Sequence, residues 1–393
     1  MNVILLNWSN GENDPITYFN KQLAIRFADF GVKSTIIEID DNLGNNLMAA
    51  KNNHADFAIT WQGFASNIIR DGGTKIFWEE IELPLFCLHG DHPCHMLTNH
   101  STDSDYVTHF YSSGSYASYA NKYIPRKKPA IFYMLPNFFS RSSDPCHGSG
   151  DFFVFPKNLD DVTEAKALWS GGLPQTTSDF MLDAASEIER CYEEGDLIDH
   201  HEVIDKCLTD EIFQAIRLEM KIDDEQALFH MLHASLDKVY RNTVSQRVVQ
   251  ELNDFPLIIN GRGWNRYRAK PSPHHEFHDF GTVEEGGKQF SSRYGIIDVV
   301  PTRHFLHDRS FRAIAIGSGF LSNSRYDFKN LMGSDFRELF YSGKPGSLSD
   351  LAEQVMVDPR AHIERVREFG RCYDQMYSFY SFYLFMYSLV MSK

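Results

Sequence analysis

The sequence predicts an α/β protein built from two doubly wound, mostly parallel sheets. Short apolar runs alternate with helical patterns in both halves of the chain, and this alternation is typical of strands joined by crossover helices. The chain has 393 residues, and domains of ~100–200 residues imply two of them, or one large one. With 42% hydrophobic and 23% charged residues, a disordered or collagen-like chain is excluded.

The first half opens with a βα unit. Residues 3–7 form an apolar run, and a helical pattern from Pro15 to Phe30 follows, which Gly31 closes. The further strands of this half are predicted at residues 33–39, 55–60, 83–88, 106–110 and 130–135, with a helix near 45–52.

The second half repeats the α/β pattern around a helical insert. Residues 140–150 are rich in Ser, Gly and Pro, as in a linker. After the strand at 151–155, the acidic stretch 178–252 has helical periodicity. The remaining strands are predicted at residues 255–260, 277–280, 294–300 and 320–322, with a helix over 308–316. The predicted domains are 1–145, 146–375 with the insert 178–252, and an aromatic helix over 376–393.

That last helix carries no charge from Gln375 to Ser392. At 100° per residue its Tyr and Phe side chains fall on different faces. We expect a buried or interdomain helix. An interfacial membrane contact is the alternative, and four Tyr and four Ser residues disfavour a spanning helix.

Charge and cysteine usage narrow the function classes. The chain has 38 Lys and Arg against 53 Asp and Glu, which argues against generic nucleic-acid binding because that depends on neutralising phosphates. The basic segment 125–129 could contact anionic lipid headgroups, or it could be a solvated loop. Six scattered cysteines and an N-terminus without a signal-peptide pattern favour a cytoplasmic protein, either free or associated with the inner face of the membrane.

Three segments that follow predicted strands carry candidate site residues. The first, residues 85–95, places His89, Asp91 and His92 behind an apolar strand, where one of them could act as a general base. A hydrogen-bonded structural loop is the alternative. The potential metal ligands of this loop are too close together in sequence for a tetrahedral site, so no metal is predicted.

The second segment is Gly261-Arg262-Gly263-Trp264. Its glycines let the backbone approach a ligand, Arg262 could point at that ligand, and Trp264 could stack on it. A tight turn with a packed Trp is the alternative. No Walker motif occurs and no Gly-x-Gly-x-x-Gly follows the first strand, which disfavours a P-loop or nicotinamide enzyme.

The third segment, residues 299–319, predicts an anion site. Asp308 resembles an N-cap, and Arg309 opens a helix whose free N–H groups and dipole attract phosphate. A surface helix with solvated arginines is the alternative. Further donors to phosphate would come from Arg303, His304, His307 and Arg309.

The second half also resembles a known family. Residues 294–322 and 348–359, with the strand end at Gly261–Trp264, are similar to the C-terminal domain of the CgeB-like glycosyltransferases of the GT-B superfamily. The resemblance implies two Rossmann-like domains facing a central cleft, with a C-terminal helix that crosses back to the first. It also implies that the C-terminal domain binds a nucleotide-activated sugar and the N-terminal domain binds the acceptor.

Carried over by position, the resemblance places Arg309 and the backbone of Ser310 against the donor phosphate. Gly261 to Trp264 would line the nucleotide pocket. The family's Glu is Arg312 here, and an Arg cannot accept a hydrogen bond from a ribose hydroxyl. The donor therefore stays open between UDP-, GDP- and CMP-linked sugars, and no cofactor is expected besides this substrate.

The function expected from the resemblance is metal-independent transfer of a sugar to a hydroxyl of a glycan or glycolipid, in bacterial surface polysaccharide synthesis. If the configuration inverts, Asp91 is the first candidate base, and His89 or His92 the second. Two rivals remain: a non-catalytic nucleotide-sugar-binding protein and a sugar-nucleotide epimerase of the same architecture.

Overall fold

The computed structural model describes residues 1–8, 14–69, 75–139, 141, 150–159, 174–194, 200–266, 272–278, 292–300, 306–324 and 335–391. The chain divides into two compact units. The first consists of Met1–Arg141 together with Gly370–Lys393, and the second comprises most of the residues between them. Each unit contains one parallel sheet, which confirms the predicted fold class.

Six described strands form the sheet of the first unit. They are β1 (Asn2–Asn7), β2 (Lys33–Glu38), β3 (Phe57–Trp61), β4 (Leu85–His89), β5 (Val107–Tyr111) and β6 (Ile131–Phe132). Their order is β2-β1-β3-β4-β5-β6, and every pair is parallel. The central strands β3 and β4 are buried along their whole length, as expected for a sheet covered on both faces.

Helices connect these strands. They are α1 (Pro15–Ala28), α2 (Leu43–Asn52), α3 (Phe77–Glu80), α4 (Leu97–His100) and α5 (Gly114–Tyr123). The start of α1 follows from its sequence: Pro15 occupies the first turn, and the Asp14 carboxylate accepts a hydrogen bond from the backbone N–H of Ile16 at 2.8 Å. On the next crossover, Leu43 and Leu47 are the buried residues of α2.

The second sheet has the strands β7 (Phe153–Phe155), β8 (Leu257–Asn260), β9 (His275–His278), β10 (Gly295–Asp298) and β11 (Phe320–Ser322). Their order is β11-β10-β7-β8-β9, again with parallel pairs. The chain thus builds β7, β8 and β9 in one direction and then returns past β7 to add β10 and β11.

The helical insert lies between β7 and β8, as the acidic stretch predicts. It consists of α6 (Gln175–Glu193), α7 (His200–Cys207), α8 (Asp210–Met220) and α9 (Glu225–Glu251). Leu232 and Leu236 of α9 share a hydrophobic core with Phe153 and Ile259 of the sheet. The insert is therefore part of the second unit's core.

Three further helices precede the C-terminal one: α10 (Asp308–Ile316), α11 (Ser347–Val357) and α12 (Pro359–Met376). The first unit resumes at Gly370, within α12. Tyr373, near the end of α12, donates a hydrogen bond to Leu135 O at 2.8 Å.

The aromatic C-terminal helix α13 (Phe379–Met391) packs within the first unit. Its Phe379 ring contacts Phe27 of α1 at 5.1 Å between centroids, and Phe382 contacts Tyr133 at 5.3 Å. Phe379 and Phe382 are buried, whereas Tyr380 is 49% exposed. Tyr383 is half-buried and also contacts Phe27, so the Phe face and the Tyr face separate only in part. None of the described helices is long and apolar enough to cross a bilayer.

Candidate functional site

Each sheet has one place where its strand order reverses, and ligands of open α/β sheets bind there, beyond the carboxyl ends of the strands. In the first sheet this switch point lies between β1 and β3, and in the second between β10 and β7. These two edges are the candidate sites, and each is described within its own unit.

Asp91 lies at the carboxyl edge of the first sheet, two residues after β4. It is exposed, and its Oδ2 accepts a hydrogen bond from Gln62 Nε2 at 2.9 Å. Gln62 directly follows β3. The carboxylate predicted as a base therefore lies beside an amide from the strand that borders the switch point.

The turn that carries Gln62 has an unusual backbone. Gln62, Gly63 and Ala65 have φ values of +52°, +68° and +62°, in the left-handed region that L residues avoid. A Cβ on Gly63 would lie 2.4 Å from Asn99 O and 3.1 Å from His89 Cε1. The turn therefore packs directly against Asn99 and His89, and a glycine at position 63 is required for that close approach.

Two buried histidines lie below this turn. His89 Nε2 lies 2.8 Å from His109 Nδ1, and His109 Nε2 lies 3.0 Å from Thr102 O. Because a carbonyl only accepts, His109 Nε2 carries the proton, and its Nδ1 accepts from His89 Nε2. Burial, reinforced by the charge of Arg126, lowers the pKa of His109 to about 3. Burial, with the neighbouring His100 second, lowers the pKa of His89 well below its usual value.

The structure separates the three candidate bases. His89 and His92 are both 0% exposed, whereas Asp91 is at the surface. The ring of His92 packs edge-on against Tyr116 and Tyr119, and its Nδ1 accepts from Cys94 N at 3.1 Å. Asp91 is therefore the one of the three placed to touch a substrate.

Cys87, His89 and His109 could together hold a metal ion, since one ligand atom of each lies within 4.8 Å of the others. Cys87 and His109 are register partners on β4 and β5. In this structure His89 and His109 hydrogen-bond to each other, and burial raises the pKa of the Cys87 thiol despite the opposing charge of Arg126.

The basic segment 125–129 is bound to the preceding loop. Arg126 Nη1 donates to His100 O at 3.0 Å, and Lys127 N donates to Asp103 Oδ1 at 3.0 Å. The Lys128 ammonium lies 3.6 Å from Asp105 Oδ1. Arg126 and Lys128 therefore have partners within the protein, which account for part of the positive charge of this segment.

At the switch point of the second sheet, a buried carboxylate joins β10 to α10. Asp298 is 0% exposed. Its Oδ1 accepts from Arg309 Nε at 2.9 Å, and its Oδ2 accepts from Ser310 Oγ at 2.7 Å. Arg309 Nη2 also donates to Val299 O at 3.1 Å. Two nitrogens of Arg309 therefore hold the first turn of α10 against the end of β10.

Asp298 stays ionised in this network. Burial raises the pKa of its carboxyl group, but the charges of Arg309 and His307 and the hydrogen bonds from Ser310 and Arg309 outweigh burial, and the net pKa is lowered. Asp298 and Arg309 thus form a fixed ion pair at the start of α10.

The residue before α10 is His307, one position earlier than the predicted cap. Its Nδ1 contacts the carboxylate of Asp308, whose Oδ2 also pairs with Arg312 Nη2 at 2.8 Å. Asp308 therefore turns toward its neighbours instead of capping the helix. Arg312 thus brings its charge into contact with this carboxylate.

The segment Gly261–Trp264 packs against the loop after β7. A Cβ on Gly261 would lie 2.2 Å from Lys157 O. Trp264 is 5% exposed, and its indole N–H donates to Lys157 O at 2.6 Å. The Arg262 side chain is exposed. In this structure Gly261 and Trp264 both pack against the loop after β7. For Trp264 this is the packed tight turn given above as the alternative to stacking on a ligand. Arg262 is the residue of this segment whose side chain a ligand can reach.

Two residues of these sites, Gln62 and Asp298, are not among the candidates predicted from the sequence. Asp298 could have been found from its context, because it is an acid within the otherwise apolar run Ile296 to Val300 that a buried strand predicts. Nothing in the sequence pairs Gln62 with Asp91, which are 29 positions apart. Arg303 and His304 lie outside the described residues.

The structure resembles solved glucosyltransferases over its full length. A DNA-modifying β-glucosyltransferase, solved with and without the substrate uridine diphosphoglucose, matches with a TM-score of 0.54 at 8% identity, covering 100% of both chains. An α-glucosyltransferase in complex with UDP and a 13-mer DNA containing an HMU base matches at 0.53 and 9%, covering 100% of this chain and 99% of that one. The chain has the GT-B fold. No family model and no curated protein matches it.

Proposed function

We propose that this GT-B protein is a glycosyltransferase that moves a sugar from a nucleotide-activated donor to an acceptor hydroxyl. The observation that carries the proposal is the full-length likeness to two glucosyltransferases solved with UDP or uridine diphosphoglucose. UDP is therefore the first donor nucleotide to test, ahead of GDP and CMP.

The roles that we propose are assigned to residues at the carboxyl edge of each of the two sheets. In the first unit, Asp91 takes the proton from the acceptor hydroxyl while the oxygen attacks the anomeric carbon. The bond from that carbon to the donor phosphate breaks, and the nucleoside diphosphate leaves with the electron pair. Asp91 suits this role because it is exposed and lies at the carboxyl edge.

In the second unit, the start of α10 and the exposed Arg262 would bind the departing phosphates. Arg309 contributes by holding the first turn of α10 in place, and its charge stays close to that turn. Cationic side chains and a helix N-terminus stabilise a leaving phosphate without a metal, so we propose metal-independent transfer.

The acceptor we propose is a hydroxyl of a glycan or glycolipid, in bacterial surface polysaccharide synthesis. A hydroxyl on DNA is the second candidate, and two observations favour it. Both glucosyltransferases above are described with DNA. In addition, the acidic excess is concentrated in the insert, where residues 175–251 hold 18 Asp and Glu against 7 Lys and Arg, so repulsion of phosphates is weaker elsewhere in the chain.

The first experiment is a thermal-shift panel of UDP, GDP, CMP and CDP, since a ligand that binds the native state raises its apparent stability. Release of UDP from UDP-glucose is then measured with a glycan, with hydroxymethylated DNA and without acceptor. We expect stabilisation by UDP, acceptor-dependent release, and at least a 100-fold loss in Asp91→Asn, in keeping with the ~10²–10⁴-fold contribution of general bases.

Other outcomes identify the rivals. Nucleotide binding without turnover in any assay would indicate a binding protein. Conversion of the sugar nucleotide that needs no acceptor would indicate an epimerase.

A further inference from the structure

We propose that Gln62 is a positioning residue that holds Asp91 in its reactive orientation. The inference rests on the proposed function, because it concerns the base of that reaction. It assigns a role to a side chain outside all three candidate segments of the sequence.

The first support is the pair of contacts between the two residues. Gln62 Nε2 donates to Asp91 Oδ2 at 2.9 Å, and the backbone N–H of Asp91 points at Gln62 Oε1 at 3.5 Å. The carboxylate only accepts and the backbone N–H only donates, so both contacts require the same orientation of the amide. The Gln62 side chain thus contacts both the backbone N–H and the carboxylate of Asp91.

The second support is the backbone of Gln62. A φ of +52° is unfavourable for a residue with a Cβ, and such conformations persist where the surroundings enforce them, often at functional sites. Here the surroundings are rigid: Gln62 N donates to Leu88 O at 2.8 Å, and Thr60 Oγ1 donates to Phe64 O at 2.8 Å. The amide is therefore presented from a fixed turn.

The third support is what Asp91 would do without this contact. Asp91 is exposed and lies in the loop after β4, where a carboxylate can sample several rotamers. Occupying Oδ2 leaves Oδ1 as the oxygen that receives the proton and fixes its direction. A base held in line with the acceptor hydroxyl needs less reorganisation before the proton moves.

Three variants separate this role from a structural one. Gln62→Leu keeps a side chain of similar size and removes both contacts. Gln62→Asn keeps the amide and suits positive φ, but is one methylene shorter. Ala65→Gly is the matched control, because Ala65 has φ +62° in the same turn and no part in the contact with Asp91.

The readouts are UDP release, with kcat and the donor KM determined separately, and crystal structures of the wild type and Gln62→Leu. For Gln62→Leu we expect kcat to fall about tenfold with the donor KM unchanged, and several Asp91 conformers where the wild type has one. Gln62→Asn should lie between the two, and Ala65→Gly should match the wild type.

The failure of this proposal can be told from failure of the proposed function. If Asp91→Asn is inactive while Gln62→Leu turns over like the wild type, the positioning role is overturned and the function stands. If Asp91→Asn is fully active, Asp91 is not the base, so the role proposed for Gln62 is overturned while sugar transfer itself stands. Should no acceptor support turnover, a single unchanged Asp91 conformer in Gln62→Leu overturns the role by itself.

Discussion

Asp298 carries much of the local stability of the second unit's candidate site, because its buried carboxylate receives bonds from Arg309 and Ser310. Asp298→Asn keeps the shape but leaves the Arg309 charge, 12% exposed, without its counter-ion. We expect the free energy of unfolding to fall by about 3 kcal/mol, measured by urea denaturation. Arg337→Ala is the control: its pair with Asp335 is on the surface and should contribute under ~1 kcal/mol. Equal losses in the two variants would contradict the structural role of Asp298.

Also at the residue scale, the neutral His109 makes stability depend on pH. Its folded pKa of about 3 lies below the ordinary value of 6.5, so the unfolded chain binds more protons between these two values. The stability contributed by His109 is therefore complete above pH 6.5 and decreases as the pH falls, by up to ~1.4 kcal/mol per unit. Urea unfolding at pH 7 and pH 5 should give a smaller difference for His109→Gln than for the wild type. The exposed His54→Gln is the control and should match the wild type.

At the scale of elements, the close approach of two strand-end loops explains the glycines of the Gly261–Trp264 segment. Gly263 has φ +88°, and a Cβ there would lie 2.1 Å from Leu159 O. Gly346 has φ +87° with nothing within 4 Å of its Cβ position. We expect Gly346→Ala to cost about 1 kcal/mol from backbone strain alone, and Gly263→Ala about 3 kcal/mol because the loops must also separate. The difference between their melting temperatures checks this, and similar values would refute the crowding argument.

The elements were predictable where the signal is local. Apolar runs such as residues 85–88 and 257–260 become buried strands, because a parallel sheet covered on both faces needs continuous apolar sequence. The site was less predictable. The sequence leaves Trp264 two roles, stacking on a ligand or packing in a tight turn, because its orientation depends on Lys157, which is 107 positions away. The pairing of Gln62 with Asp91 likewise depends on two adjacent strands ending side by side, which periodicity does not report.

At the scale of the whole molecule, the C-terminal helix belongs to the unit where the chain begins. Phe382 of α13 is 1% exposed and contacts Tyr133, while Phe379 contacts Phe27 and Phe30. The first unit is therefore completed only when the last part of the chain folds onto it. This couples the first unit's stability to residues more than 200 positions away.

This coupling predicts where a core substitution in α13 acts. Phe382→Ala removes a buried ring and should destabilise the first unit by about 3 kcal/mol. Amide hydrogen exchange should then accelerate in β1 to β6 and stay unchanged in β7 to β11, because the substituted side chain packs in the first unit and local opening follows local packing. Tyr380→Ala, on the exposed face of the same helix, is the control and should leave exchange in both sheets as in the wild type. Uniform acceleration across both sheets would instead mean that the two units unfold as one, and the assignment of α13 to the first unit alone would have no energetic meaning.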